Sequence, residues 1–377
     1  YTVKFVLTRP EAPFLANIAM PFASITSAEY ASVLEAAGTR EDLNNMPIGT
    51  GPFTFVAYQK DAVIRYAKNA DYWGTAPLID DLVFAITPDA AVRLQKLKAG
   101  ECHLMPFPAP ADIAAIKADP NLKVEEQAGL NVGYLAYNTT MPPFDNANVR
   151  KALNMAMNKQ AIIDAVFQGA GQVAKNPIPP TMWSYNDAIV DDAYDPEAAK
   201  AMLAAEGVTD LSMKVWAMPV QRPYMPNARR TAELIQEDFA KVGVTVEIVS
   251  YEWGEYLDKS MEAGRDGAVI LGWTGDNGDP DNFMGVLLSC ASAQPGGANR
   301  AFWCNEEFSA LLSQAKQTSD VAERTRLYEE AQVIFKDQAP WATLDHSTQY
   351  VPMSNKVSGF VMSPLGDFTF ATVDIAE

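Results

Sequence analysis

Two charged side chains stand out because each follows a segment with the sequence of a buried strand. Asp276 comes directly after the apolar run Ala268–Gly275, and Arg222 comes a few residues after the predicted strand Ser212–Ala217. In open α/β sheets ligands bind at the carboxyl ends of the strands, so both residues are candidates for a binding site. The alternative for Asp276 is a solvated turn, which Asn-Gly and Asp-Pro favour, and a loop arginine is most often solvated.

Catalytic and metal-binding patterns are missing from the sequence. It contains no Gly-x-Ser-x-Gly, P-loop, Gly-x-Gly-x-x-Gly or His-Glu-x-x-His motif, and its only histidines are His103 and His346. His346 stands between Asp345 and Ser347, but neighbouring residues of a strand point to opposite faces, so these three cannot form a triad. An EF-hand beginning at Asp276 fails as well, because glycine, proline and leucine occupy liganding positions. We therefore expect binding and no hydrolysis.

The three cysteines predict one local cross-link. Cys290 and Cys304 flank a loop with Pro295, Gly296 and Gly297, a spacing that suits a disulfide. Zinc is disfavoured because no Cys-x-x-Cys occurs and histidines are scarce, whereas two buried free thiols remain an alternative. Cys102 is left over, and an odd cysteine in an oxidising compartment suggests a partner elsewhere.

The length, composition and net charge of the chain restrict the class of protein to which it can belong. The 377 residues predict two or three domains, and 48% hydrophobic residues predict an ordered chain. The formal net charge of −18 argues against nucleic-acid partners. Proline and glycine interrupt the longest uncharged stretches, so no membrane span is expected. The chain begins with Tyr in strand-like sequence and without a signal peptide, which suggests a processed or cut chain.

Strand-like and helical segments alternate along the chain, which predicts an α/β fold with a partly parallel sheet. A long helix with a strand on either side implies a crossover between parallel strands. Strands are predicted at Val3–Thr8, Phe53–Tyr58, Ala62–Tyr66, Asp81–Ile86, Asn131–Tyr137, Ser212–Ala217, Val244–Tyr251, Ala268–Gly272, Gln349–Met353, Val357–Met362 and Phe368–Val373. Helices are predicted at Asp89–Ala99, Ala147–Met157, Gln160–Phe167, Pro196–Glu206, Asn227–Val242, Glu306–Lys316 and Val321–Phe335.

A change of composition near Leu130 predicts the domain boundary. Short strands and loops precede it, helices follow it, and strand-like sequence returns after Asp345. We therefore predict a first lobe of residues 1–129 and 348–377 and a second α/β lobe of residues 130–347. Strands near Asn131–Tyr137 and Leu344–Val351 would form the hinge of a fold that closes around a ligand.

Several motifs in one order resemble the family 5 extracellular solute-binding proteins of bacterial ABC importers. They include Pro47-Ile-Gly-Thr-Gly-Pro-Phe, Asn69-Ala-Asp-Tyr-Trp-Gly, Val149-Arg-Lys-Ala-Leu-Asn-Met-Ala-Met-Asn-Lys and Leu130-Asn-Val-Gly-Tyr-Leu-Ala-Tyr-Asn. Asn176-Pro-Ile-Pro-Pro-Thr-Met-Trp, Gln221-Arg-Pro-Tyr and Gly272-Trp-Thr-Gly-Asp-Asn-Gly-Asp-Pro-Asp-Asn-Phe narrow the resemblance to members that bind dipeptides. The resemblance implies a two-lobed periplasmic-binding-protein fold. It also implies that the N-terminal segment of the first lobe, which family members carry, precedes this chain and is absent.

The resemblance also implies a ligand-binding role for individual residues. Asp276 would receive the α-ammonium group of a dipeptide and Arg222 its α-carboxylate, and the two charges would set the length of the ligand. Tyr224, Trp273 and Thr274 would pack around the peptide or bind its backbone. The alternative is that Arg222 and Asp276 form an ion pair with each other. The resemblance further implies that Cys290 pairs with Cys304, and Cys102 with a cysteine near the mature N-terminus.

The function implied is that of a periplasmic, monomeric binding protein that delivers short peptides to an inner-membrane ABC permease. It would act without a cofactor, catalysis or membrane insertion. Haem, glutathione or another small solute on the same scaffold is the first alternative. A peptidase is the alternative from another class.

Overall fold

The computed structural model describes residues 2–294 and 296–376. Its strands are β1 (Phe53–Gln59), β2 (Val63–Lys68), β3 (Asp81–Ala85), β4 (Leu122–Ala128), β5 (Asn131–Tyr137), β6 (Gly171–Val173), β7 (Ser212–Trp216), β8 (Thr245–Val249), β9 (Ala268–Thr274), β10 (Trp341–Ser354), β11 (Val357–Ser358) and β12 (Asp374–Ile375). Its helices are α1 (Phe14–Ile18), α2 (Ala28–Ala37), α3 (Asp42–Asn45), α4 (Ala90–Lys98), α5 (Ile113–Lys117), α6 (Ala147–Met155), α7 (Lys159–Ile162), α8 (Pro196–Ala205), α9 (Ala228–Lys241), α10 (Trp253–Ser260), α11 (Asp281–Leu288), α12 (Glu306–Gln317) and α13 (Val321–Gln338).

The chain divides into two compact units. The larger unit contains Tyr1–Met20 and Ala128–Gln349, and the smaller unit contains Pro21–Gln127 and Tyr350–Glu377. The chain passes from one unit to the other within β4 and again within β10. Strand β5, which was predicted as a hinge, lies wholly within the larger unit. Residues 1–20 group with the larger unit although the sequence analysis placed them in the first lobe. The bounds of the lobes stay a prediction.

The larger unit is built on a mixed sheet with the strand order β10-β5-β9-β7-β8, and β6 pairs with β10. Strands β7 and β8 are parallel, as are β7 and β9, whereas β5 is antiparallel to both β9 and β10. Helix α9 connects β7 to β8, as expected for a crossover between parallel strands. The prediction of an α/β fold with a partly parallel sheet is therefore confirmed.

Helix α9 shows how the sequence produces this crossover. The Asn227 side chain caps its first turn by accepting a hydrogen bond from the Arg230 backbone N–H at 3.0 Å. Ile235 and Phe239 are fully buried on one helical face. Gly243, with a φ of 84°, then takes the left-handed conformation that ends the helix and starts β8.

The smaller unit contains the antiparallel meander β1-β2-β3 and the short pair β11-β12. Two separate apolar clusters support it. The first consists of Leu94, Leu97, Met105, Ile116 and Leu122, and the second of Val351, Met353, Val357 and Val373.

Two strand predictions are wrong. Val3–Thr8 has no strand partner among residues 2–294 and 296–376, and its apolar side chains are exposed, among them Val3 at 70% and Val6 at 79%. Phe368–Val373 contributes only an isolated bridge between Phe368 and Met362. Alternating apolar residues favour a strand, but a strand forms only where a neighbour satisfies its backbone groups.

The predicted disulfide is confirmed, because Cys290 and Cys304 are joined with an S–S distance of 2.09 Å. Pro295, which was predicted to shape the intervening loop, lies outside the described residues. Cys102 is not disulfide-bonded within the described part of the chain, and it packs against the cluster around Leu94. Its pairing with a cysteine near the mature N-terminus stays a prediction. No helix among the described residues is long and apolar enough to cross a membrane.

Candidate functional site

Strands β7 and β9 bring the two charged candidates, Arg222 and Asp276, to one end of the sheet. They are parallel neighbours, with Val215 opposite Ala268 and Trp216 opposite Val269. The segment that leaves β7 carries Arg222, and the segment that leaves β9 carries Asp276. Since the carboxyl ends of parallel strands lie on the same side of a sheet, both residues lie at the carboxyl end of the sheet of the larger unit. Ligands of open α/β sheets bind at this end.

The backbone around Arg222 is held by a small bridge. The Arg222 N–H donates to the Met225 carbonyl at 3.1 Å, and the Met225 N–H donates to the Arg222 carbonyl at 3.0 Å. The guanidinium lies 4.9 Å from the centre of the Trp253 ring, at the beginning of α10, and Nη1 donates to the Gln221 carbonyl at 3.1 Å. This cation–π contact orients the half-buried guanidinium and uses none of its N–H donors.

Tyr224 packs closely against the sheet at two paired glycines. Gly272 of β9 lies opposite Gly133 of β5. A Cβ atom at Gly272 would collide with the Tyr224 ring, and one at Gly133 would stand 2.7 Å from the Tyr224 carbonyl. Burial raises the pKa of the Tyr224 hydroxyl to about 12, against the opposing effect of the nearby Arg222 charge. The two glycines therefore admit the segment that carries Arg222 onto the sheet.

Asp276 is held by Asn282, which the sequence analysis did not identify. The Asn282 Oδ1 accepts hydrogen bonds from the Asp276 backbone N–H at 2.8 Å and from the Trp273 indole N–H at 3.1 Å. Its Nδ2 donates to Asp276 Oδ2 at 3.1 Å. One carboxamide thus fixes both the backbone and the carboxylate of Asp276, and Oδ1 of Asp276 accepts no hydrogen bond from the described residues, so it can accept one from a ligand. The only sequence signal for this role is the position of Asn282 in the Asp-Asn-Gly-Asp-Pro-Asp-Asn-Phe motif.

Trp273 and Thr274 lie on opposite faces of the sheet, because successive strand residues alternate. Gly272 faces Tyr224, so Thr274, two residues further along β9, belongs to the same face. Trp273 points the other way and donates to Asn282. The structure therefore brings Thr274 and Tyr224 to one face, and it connects Trp273 to the Asp276 loop.

Arg222 and Asp276 do not neutralise each other. Among the described residues neither side chain takes part in an ion pair, so the alternative of an Arg222–Asp276 pair is not observed. Each charge is held in place by neutral contacts and keeps hydrogen-bonding capacity unused. A single arginine and a single aspartate at one sheet edge can bind a small molecule that carries one charge of each sign.

Asp345 is a second acidic group near Tyr224, and the sequence analysis did not propose it for the site. It is fully buried in β10, opposite Gly133, and neither carboxyl oxygen has a hydrogen-bond partner within the described residues. Burial raises the pKa of this carboxyl well above its ordinary value. Burial therefore disfavours a negative charge on Asp345, and the half-buried Asp276 is the better placed of the two carboxyl groups to bind a cation. The described residues contain no cluster of three His, Cys, Asp or Glu side chains that could hold a metal ion.

Comparison with known proteins gives concordant matches. Residues 1–295 match the family model described as "Bacterial extracellular solute-binding proteins, family 5 Middle". The chain is 56% identical over 375 residues to the dipeptide-binding protein of Escherichia coli K12, which covers 99% of this chain and 70% of that protein. It is 48% identical over 375 residues to heme-binding protein A of Haemophilus influenzae, covering 99% of this chain and 68% of that protein. The crystal structure of a Pseudoalteromonas dipeptide-binding protein in complex with Met-Leu superposes with a TM-score of 0.92 at 39% identity, covering 98% of this chain and 73% of the other.

Proposed function

Because the chain belongs to the bacterial extracellular solute-binding proteins of family 5, we propose that it binds dipeptides and other short peptides for an ABC importer. In this role it acts in the periplasm, delivers its ligand to a membrane permease and catalyses no reaction. The observation that carries the proposal is that Arg222 and Asp276 lie at the same end of the sheet with opposite charges, and that neither has an ion-pair partner among the described residues.

A short peptide is a zwitterion that matches these two charges. The Arg222 guanidinium offers a planar pair of N–H donors to the α-carboxylate, and Asp276 Oδ1 accepts from the α-ammonium group. Each charge-assisted hydrogen bond contributes about 1.5–3 kcal/mol, so two of them with burial support roughly micromolar affinity. Two extended residues span about 7 Å, which makes the separation of the anchors a selector of peptide length. The protein would then select its ligands mainly by their charged termini and less by their side chains.

The haem alternative has one observation in its favour, the 48% identity to heme-binding protein A. Haem carries two carboxylates and no ammonium group, so Asp276 would gain no partner from it. A dipeptide uses both anchors. We therefore favour the peptide, and a Soret shift on haem titration that a saturating dipeptide does not reverse would speak for haem.

Blocked peptides test the proposal directly. We expect calorimetry to show that Ala-Ala binds and that N-acetylation or C-terminal amidation each weakens binding by at least about tenfold, since each removes one charge. Chromatography of the same samples should show intact dipeptide, which separates binding from peptidase activity. Equal affinities for the free and the doubly blocked peptide would contradict the proposal.

Asn282→Ala should weaken dipeptide binding about fivefold, because Asp276 loses the group that fixes its backbone and one carboxylate oxygen. The loss should disappear with an N-acetylated peptide, which does not use Asp276. Asn305→Ala is a matched control, since Asn305 caps the first turn of α12 and has no contact with Asp276. An equal loss for free and acetylated peptides would indicate a general structural effect instead.

A further inference from the structure

The Asp345 carboxyl group and the Tyr224 backbone carbonyl meet on one face of the sheet of the larger unit. Asp345 Oδ2 lies 2.1 Å from the position that a Cβ atom of Gly133 would take, and the Tyr224 carbonyl oxygen lies 2.7 Å from the same position. Asp345 is 0% exposed, and neither of its carboxyl oxygens has a hydrogen-bond partner among residues 2–294 and 296–376. The Tyr224 carbonyl likewise accepts no hydrogen bond from the described residues. Two oxygen atoms that both lack a donor are therefore close neighbours.

The protonation state of Asp345 decides whether these two oxygens repel or bind each other. An ionised carboxylate and a carbonyl are both acceptors only, whereas a protonated carboxyl group carries one O–H donor. A buried polar group without a hydrogen bond is costly, so one proton on Asp345 removes that cost for both groups. Burial acts in the same direction, because it raises the pKa of the Asp345 carboxyl well above its ordinary value.

The Tyr224 carbonyl belongs to the turn that carries Arg222. Arg222 and Met225 exchange two backbone hydrogen bonds, at 3.1 and 3.0 Å, and so close a turn that contains Tyr224. The Tyr224 ring fixes this turn against Gly272 of β9. A hydrogen bond from β10 to the Tyr224 carbonyl would fix it at a second strand, and would thereby set the position of Arg222.

We propose that Asp345 is a positioning residue of the binding site: its protonated carboxyl group donates a hydrogen bond to the Tyr224 carbonyl and holds the turn that presents Arg222 to the peptide's α-carboxylate. This inference rests on the proposed function. It gives the two acidic residues different roles, because Asp276 acts through its charge and Asp345 acts through its proton.

Two substitutions that keep the branching of the side chain test the role of the donor. Asp345→Leu has no donor, so calorimetry should show about fivefold weaker binding of Ala-Ala. A C-terminally amidated Ala-Ala does not use Arg222, and its affinity should change by less than about twofold. Asp345→Asn restores a donor through Nδ2, so it should bind Ala-Ala within about twofold of the unmodified protein. Equal losses in the two variants, or no loss in Asp345→Leu, would overturn the proposal.

The proton on Asp345 has a separate test that needs no ligand. A raised pKa means that the native protein keeps this proton at a pH at which the unfolded chain, with an aspartate pKa of about 3.9, has lost it. The stability that the proton supplies is complete below that value and is lost as the pH rises through the native pKa. Relative to Asp345→Asn, whose amide does not titrate, the unfolding equilibrium constant of the unmodified protein should therefore rise about tenfold from pH 5 to pH 6 in chemical denaturation. An equal ratio at both pH values would show an ionised Asp345 and would contradict the proposal.

This comparison cancels the titration of the neighbouring groups. Strands β5 and β6 place Gly133 and Val173 opposite Asp345, and neither residue titrates. The turn contributes Arg222 and Tyr224, which are present in both proteins. If Ala-Ala does not bind to the unmodified protein, the proposed function fails together with the role of Asp345 in binding, while denaturation still tests its proton. Should Asp345→Leu not fold, Asp345→Asn decides with the two peptides and the two pH values.

Discussion

Asp276→Asn is expected to lower dipeptide affinity by at least about tenfold, a loss of roughly 1.4 kcal/mol or more. The substitution keeps the size of the side chain and an oxygen that can still accept from Asn282 Nδ2, so the loop should stay in place. What it removes is the negative charge that we propose binds the ligand's α-ammonium group. Calorimetry with Ala-Ala measures the loss.

Two comparisons separate loss of this charge from other effects of the substitution. An N-acetylated dipeptide has no ammonium group, so Asp276→Asn should change its affinity by less than about twofold. Asp258→Asn is the matched control, because Asp258 is an exposed aspartate of α10 in the same unit. If free and acetylated peptides lose affinity equally in the Asp276 variant, the proposed ammonium site is wrong.

The fold was most predictable in segments whose structure is determined by residues close together in the sequence. The Asn227 cap, the apolar face of α9 and Gly243 at its end are all readable from sequence, and together with β7 and β8 they give the parallel crossover. The same logic placed Asp276 and Arg222 at strand ends. Position at a strand end follows from the order of elements along the chain, so it needs no knowledge of side-chain contacts.

Strand β10 shows what the sequence could not give. Its first seven residues, Trp341–Ser347, are all buried, so they lack the alternation that marks a half-exposed strand. The predicted strand Gln349–Met353 and the predicted hinge strand near Leu344–Val351 both leave out Trp341–Thr343, the beginning of β10. The partners that bury Asp345 and His346 come from β5, more than 200 residues earlier in the chain.

The supporting residues of the site were hidden for a related reason. Trp253, at the beginning of α10, contacts the guanidinium of the loop residue Arg222, and Gly133 makes room for the Tyr224 segment only because β5 and β9 pair in one particular register. A shift of one residue would place a side chain there. Contacts of this kind depend on tertiary pairing, whereas charge type and strand ends are properties of the local sequence.

Arg222→Gln is expected to weaken binding of a free dipeptide by at least about tenfold, since the α-carboxylate loses a charged, two-pronged donor. The affinity of Arg222→Lys should lie between those of the unmodified protein and of Arg222→Gln. Lysine keeps the positive charge, but it loses the planar guanidinium and part of the contact with Trp253. The backbone bridge between residues 222 and 225 uses no side-chain atom, so both variants should retain it.

A change of ligand tests whether Arg222 binds the peptide's carboxylate. With a C-terminally amidated dipeptide, Arg222→Gln should cost less than about twofold, while Asp276→Asn should still cost about tenfold. Arg229→Gln is the control for a lost positive charge, because Arg229 is an exposed residue of α9 that pairs with Glu233. If Arg222→Gln weakened free and amidated peptides alike, Arg222 would be supporting the site through Trp253 and not binding the carboxylate. The amidated peptide thus tests the two anchors independently, since each substitution should affect only the peptides that retain the charge it binds.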